Sequence, residues 1–262
     1  MARDDGDGVN GAPAGPVVPG GPDPVAVGIV LALDIEADPF ASRVSRRVVL
    51  RTADGLVMNT GLCGGRSVAW VVAGAGVERA RRAAGLLVAG HRPRLLVTAG
   101  FAGGLDPRLA RGSLVVATRA LRTGAPGHDL ADPLPEALPR APVITVDTPL
   151  ADPVAKRALG VATGAGLIDM ESHAVAGVAA AAGLRCAGLR VVSDAVDDRL
   201  PAEVTALARP QSGWRRIGVA VGAVGRRPGA ALDLWRLWEH AVTDGRRLAD
   251  GLERLCRSQP GA

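Results

Sequence analysis

The sequence predicts an α/β protein: a single three-layer α/β/α domain around a central mixed, largely parallel sheet. Apolar runs of strand length alternate with helix-like segments through residues 25–198. Strand–helix–strand units of this kind build parallel sheets covered on both faces, whose strands carry no polar alternation. Several of the apolar runs end in glycines or in acids, as strand-to-helix turns do. At 262 residues the chain is long enough for one large domain with a full core.

Residues 1–24 are rich in Gly, Pro and Asp, lack the apolar stretch of a signal peptide, and read as a disordered arm. Val25–Leu33 is the first strand, and LALDIEADPF then places Asp34, Glu36 and Asp38 on a turn or first helical turn. Ser67–Ala73 is a second strand ending at Gly74-Ala75-Gly76. Val77–Ala89 reads as a helix with arginines on one side and Ala and Leu on the other. Arg94–Thr98 is a strand closed by AGFAGGLDP, a Gly-rich turn from Ala99 to Pro107. Ser113–Arg119 and Val143–Val146 are short strands, and Asp152–Val161 is helical. Strand Gly166–Ile168, helix Ser172–Ala182 and strand Cys186–Val192 complete the alternation. Farther on, Trp214, Ile217, Val221 and Val224 approximate one apolar helical face, and Leu234, Trp235 and Trp238 form another. Residues 25–208 are thus expected to form the α/β domain, with C-terminal helices over 209–262. Those helices pack on the same domain or at a subunit interface, or present a basic, Trp-bearing surface to anionic lipid.

Composition excludes several classes of function. Lys and Arg number 31 against 26 acids, and Lys156 is the only lysine. The arginines are scattered in pairs rather than gathered with stacking aromatics, so no nucleic-acid partner is expected. Cys63, Cys186 and Cys256 are odd in number and without CxxC spacing, which speaks against a disulfide framework or a zinc site and for a cytoplasmic protein. No stretch approaches the roughly 20 apolar residues that span a bilayer.

In folds of this class ligands bind at the carboxyl ends of the strands. Four strand ends offer Glu36, the Gly100–Gly104 segment, Glu171 and Ser193–Asp194. The glycines let backbone N–H groups approach a ligand closely. Any one acid reads equally as a helix cap or a partner of the helix dipole. Three of them at one sheet edge point to a site.

Four segments, VGIVLALDIEAD, VTAGFAGGLDPRLARGSLVVAT, IDMES and RVVSDAVDD, resemble the nucleoside phosphorylase and nucleosidase superfamily, including the methylthioadenosine/S-adenosylhomocysteine nucleosidases. Within it, the shortened region Arg122–Thr148 and the stretch VDTPLADPVAKRALGVATGAGLIDMESHAVA are most similar to the hopanoid-associated phosphorylase branch. The resemblance implies cleavage of a purine N-glycosidic bond, with Asp194 as the general acid oriented by Ser193. It implies that Glu171 binds ribose hydroxyls, Met170 packs on the sugar and Glu36 activates water. Gly100, Phe101, Ala102 and Gly103 would line the nucleoside, with Phe101 as the one well-placed aromatic. Arg190 would belong either to this pocket or to a structural salt bridge.

No metal or organic cofactor is expected, only water or phosphate as co-substrate. A phosphate dianion near Asp34, Glu36 and Asp38 would be repelled, since like charges about 4 Å apart cost on the order of 4 kcal/mol at an effective dielectric near 20. Arg43, Arg46 and Arg47 are the residues that would rescue a phosphate site. The expected substrate is adenosylhopane, whose bulky 5′ substituent suits a shortened cover, RTGAPGHDLADP, that includes His128. The alternatives are a methylthioadenosine, adenosylhomocysteine or futalosine hydrolase, and a nucleoside-binding protein without activity. A homodimer or higher homo-oligomer is the expected form, with peripheral membrane contact as the alternative reading of the C-terminal helices.

Overall fold

The apolar run Val27–Leu31 (β1) is buried at every position. It pairs in parallel with Arg66–Val72 (β4) on one side and Leu95–Gly104 (β5) on the other. A strand flanked on both edges and covered on both faces has no use for polar alternation, which is why the run reads as continuous. The computed structural model describes residues 24–52, 55–134, 137–199 and 230–260. The expectations for the N-terminal arm over 1–23 and for the helical face of Trp214, Ile217, Val221 and Val224 lie outside the described residues, as do the side chains of Leu234, Trp235 and Trp238.

The remaining elements are α1 (Asp34–Ala41), β2 (Ser45–Arg51), β3 (Val57–Cys63), α2 (Val77–His91), β6 (Leu114–Leu121), β7 (His128–Asp129), β8 (Arg140–Thr145), α3 (Pro153–Thr163), β9 (Leu167–Asp169), α4 (Ser172–Ala181), β10 (Arg185–Asp194) and α5 (Ala230–Ser258). The sheet runs β10-β6-β8-β9-β5-β1-β4-β3-β2, and β5 also pairs with β10. Strand β5 therefore serves an open sheet through β1 and a closed circuit through β9, β8, β6 and β10. The centre, β4–β1–β5–β10, is parallel. Antiparallel pairs join β2, β3 and β4 at one edge, and β10 to β6 and β5 to β9 within the circuit.

Helices cover both faces. Val77, Ala80, Ala83, Ala84 and Leu87 of α2 recur at helical spacing and bury against one face together with Ala174, Val175 and Ala179 of α4. On the other face Ala37 and Phe40 of α1 meet Leu248, Leu252, Leu255 and Cys256 of α5. The third helix, α3, covers a small cluster of Leu105, Ile144, Ala165 and Ile168 through Leu159. Among the described residues no helix is long and apolar enough to cross a membrane.

Two local expectations are corrected. The segment Ala99–Gly104 is not a turn but the second half of β5, which continues through its glycines. Strands β2 and β3 form a hairpin over residues to which the sequence pattern assigns no element. The sequence SRRVVLR has no alternation because all seven residues of this edge strand are exposed, Val48, Val49 and Leu50 among them.

Candidate active site

Chain direction brings the ends of β1 and β10 to the second half of β5, and β9, antiparallel to β5, pairs there with Gly103 and Gly104; an acid follows or closes β1, β9 and β10. Glu36 lies in the first turn of α1 and is 3% exposed. Its Oε2 accepts hydrogen bonds from the backbone N–H groups of Ala32 (3.0 Å) and Leu33 (2.9 Å), and its Oε1 accepts from Phe101 N–H (2.8 Å). The bond from Leu33 is the back-bond of a helix-start glutamate, so the bland role of this residue is real. The bond from Phe101 is not part of that role, because it ties the acid to β5. Burial pushes the Glu36 carboxyl above its ordinary range, while the backbone donors and the Arg190 charge pull it back.

The glycines of β5 make room for carboxylates of the protein itself. A Cβ at Gly100 would stand 2.7 Å from Glu36 Oε1, and one at Gly103 would stand 3.1 Å from Asp194 Oδ2 and 2.9 Å from Ile168. This is the physical reason that a glycine run persists inside a strand. Ala102 lies between them, 3% exposed, and Phe101 packs part-buried beside the α1–α5 face.

Glu171 opens α4 directly after β9. Its Oε1 accepts from Gly76 N–H at 2.8 Å and its Oε2 from Met170 N–H at 3.2 Å. Gly76 caps α2 with φ near 112°, a backbone conformation that favours glycine, so the positive end of α2 faces this carboxylate. Burial first, then the Asp169 charge, push Glu171 up to about 7; the charge of Glu36 adds to the rise, and Gly76 N–H and Arg190 oppose it. Met170 is part-buried beside it.

Asp194 closes β10, 6% exposed. Ser193 Oγ donates to its Oδ1 at 2.6 Å and lies 3.3 Å from the carbonyl of Ala102. Lys156 Nζ, from α3, donates to its Oδ2. This ion pair was not foreseen; the one signal for it was that an arginine-rich chain keeps a single lysine.

Arg190 requires a correction. It is 1% exposed, and its guanidinium donates to Asp169 Oδ2 (3.1 and 2.6 Å), Thr98 Oγ1 (2.6 Å) and Ser172 Oγ (2.8 Å). It is thus committed to a buried salt bridge with Asp169, the second of the two readings. Asp169, the first acid of IDMES, also accepts from Thr145 Oγ1 (2.7 Å) and Ser172 N–H (3.1 Å), so it anchors the β9–α4 turn that carries Glu171.

Two of the basic residues considered for phosphate are engaged by other groups, although Arg47 also lines the cleft next to the β1–α1 turn. Arg43 pairs with Asp250 (2.6 Å) and Glu253 (3.3 Å) of α5. Arg47 donates to Asn59 Oδ1 (3.1 and 2.8 Å) and lies 5.4 Å over the Trp70 ring. Arg46 is exposed on β2, and Asp34 and Asp38 are exposed on α1, so Glu36 alone of the three early acids faces the site. His128 rests 4.8 Å from the His173 ring, on α4.

A family model described as the phosphorylase superfamily matches residues 26–140 and 134–213. None of the curated proteins matches the chain. Among solved structures, the Campylobacter jejuni 5′-methylthioadenosine/S-adenosylhomocysteine nucleosidase is similar with TM-score 0.68 at 15% identity, covering 89% of this chain and 99% of that one. The Streptococcus pyogenes S-adenosylhomocysteine nucleosidase in complex with 5-methylthiotubericidin gives TM-score 0.68 at 18% identity, covering 90% and 98%. The Helicobacter pylori futalosine hydrolase gives 0.67 at 15%, covering 87% and 96%. At such identities the likeness is one of fold.

Proposed function

The chain belongs to the phosphorylase superfamily, and we propose that it hydrolyses the N-glycosidic bond of a purine nucleoside, most directly an adenine nucleoside. The observation that carries this reading is the convergence of Glu36, Glu171 and Asp194 on one sheet edge, each held by different partners. Bond cleavage builds positive charge on the ribose and negative charge on the departing purine. Glu171 is the carboxylate for the ribose hydroxyls, and its charge favours the developing cation. Met170 and Phe101 offer apolar surface to the nucleoside.

The C1′–N bond breaks with its electrons moving into the purine, and the purine ring nitrogen takes a proton from Asp194. A water then bonds to C1′ and gives its proton to Glu36. Burial suits Glu36 to that role, because a carboxylate pushed above its ordinary range accepts a proton more readily. No metal or organic cofactor enters this scheme.

Water rather than phosphate is supported by the pairing of Arg43 with Asp250 and Glu253; Arg47, though bonded to Asn59, lines the neighbouring cleft and stays the residue a phosphate would use. The test is adenine release in phosphate-free buffer with product analysis. Free ribosyl product is expected, and Glu36→Ala is expected to lower turnover at least ~100-fold. Strict phosphate dependence with a ribose-1-phosphate product would overturn the hydrolytic reading.

For the 5′ substituent we propose the triterpene of adenosylhopane. Between β6 and β8 the described residues form only the two-residue strand β7, which supports an open cover. The exposed Val48, Val49 and Leu50 support an apolar neighbour; the cleft next to the β1–α1 turn is mixed, walled by Leu33, Leu56, Val57, Trp70 and Val72 but also by Asp34, Asp38, Arg47 and Asn59. The same exposed edge strand supports a homo-oligomer, or a membrane surface, as what covers it. Preference for methylthioadenosine over adenosylhopane in a direct competition would reassign the substrate without touching the chemistry.

A further inference from the structure

Lys156 is the chain's one lysine, and its side chain is fully buried. An ammonium at that depth needs an acceptor for each of its three N–H bonds. It has three: Asp194 Oδ2, the Ala195 carbonyl at 3.0 Å and the Asp198 carbonyl at 3.1 Å. Those carbonyls belong to the turn that follows β10, a turn closed by Asp198 Oδ2 accepting from Ala195 N–H at 2.8 Å. Three acceptors converging on one nitrogen suit a lysine. The planar fork of arginine spreads its donors over several nitrogens, which explains a lysine in an arginine-biased chain.

The same pairing divides the two oxygens of Asp194. Oδ2 is held by a cation, so Oδ1 is the oxygen left to carry a proton. Ser193 reads that oxygen. Its single hydroxyl proton points to Oδ1 when Asp194 is a carboxylate, and can turn to the Ala102 carbonyl when Oδ1 is protonated.

We propose that Lys156 is the positioning residue of the acid. It turns the Asp194 carboxyl so that Oδ1 faces the leaving base, and it holds the carboxylate that remains once the proton has gone. The inference rests on the reading of Asp194 as the general acid. In the step itself the proton passes from Oδ1 to the purine nitrogen as the C1′–N electrons enter the ring. Lys156 gives up no proton, and it touches neither sugar nor base.

The experiment is a mutant cycle on whichever of adenosine, methylthioadenosine and adenosylhopane the wild type turns over fastest. Lys156→Met is expected to lower turnover at least ~30-fold with KM within ~3-fold, because it acts on proton delivery and not on binding. In an Asp194→Asn background the same change should cost less than ~3-fold, since the two act as one unit. On 4-nitrophenyl β-D-riboside, whose leaving group departs without a proton, Lys156→Met should lose far less than on the adenine nucleoside. Equal losses on both substrates, losses that multiply in the Asn background, or near wild-type turnover would each reduce Lys156 to a packing role. Near wild-type turnover of Asp194→Asn alone would instead bring down the reading of the acid. Circular dichroism and thermal melting monitor the fold. Should Lys156→Met not fold, Lys156→Gln, which keeps two donors on the site, takes its place in the same cycle with the same outcomes.

Discussion

Glu171 stands where two requirements oppose each other. Its proposed role, accepting ribose hydroxyls and favouring a cation, requires its carboxylate, yet burial and the charges of Asp169 and Glu36 raise it from an ordinary value of 4.5 to about 7. Below about pH 7 the free enzyme carries the neutral acid, so kcat/KM should fall about tenfold per pH unit on that side. Glu171→Gln should remove that limb and lower the plateau; a limb that persists in the variant would belong to another group. The same shift has a stability sign. Because the folded pKa is the higher one, the contribution of Glu171 to stability is full below about pH 4.5 and is lost as pH rises through 7. Melting temperatures of wild type and Glu171→Gln should therefore diverge over that window, with the variant the more stable above it. Individual acids of this site were legible because an acid directly after an apolar run is conspicuous. Lys156 was not, since a helical residue gives no sign in the sequence of which strand end its side chain will reach.

At the scale of elements, α3 is the piece that delivers this lysine. Asp152 caps it by accepting from Ala155 N–H at 3.0 Å, Pro153 takes its first position, and Gly164 ends it at φ near 68°. Its first turns clasp the turn after β10 through Lys156–Asp194 and Arg157–Asp197, with Arg199 also within 3.9 Å of Asp152. Asp152→Ala should cost about 1 kcal/mol, seen as a melting temperature roughly 2–4 °C lower. Turnover should change less than ~3-fold, because the ion pair to Asp194 remains. An unchanged melting temperature would mean that the cap bond contributes nothing in solution. These helix signals were legible in the sequence. The second half of β5 was not, because glycines punctuate loops far more often than they make room for a carboxylate, and only the fold shows that Glu36 and Asp194 occupy the missing Cβ positions. The β2–β3 hairpin was hidden for another reason: an edge strand exposed at every residue has no buried face to impose a period.

For the whole molecule, the Arg190–Asp169 pair joins the two halves of the architecture. Arg190 on β10 reaches Thr98 on β5, Asp169 on β9 and Ser172 on α4, and Asp169 reaches Thr145 on β8. Arg190→Met would leave Asp169 buried without its partner. The expected loss is about 3–5 kcal/mol in urea unfolding. An Arg190→Met, Asp169→Leu double variant should recover part of it, and a single variant as stable as wild type would deny the pair its structural role. The layered α/β/α plan followed from the alternation of apolar runs. Closure of one part of the sheet through β5 did not, because pairing partners far apart in sequence leave no local mark.

That closure makes β5 a measuring rod. Glu36 is seated at Gly100 and Asp194 at Gly103, three residues apart on a single strand. Strand rise of about 3.3 Å per residue sets the two graduations about 10 Å apart. Under the proposed roles of Glu36 and Asp194, the spacing between the water side and the base side of the substrate is set in part by this backbone, which offers the two positions to opposite faces of the strand. Losing one residue between the two marks would shorten the scale by a full graduation, about 3.3 Å, which is more than a hydrogen bond can absorb.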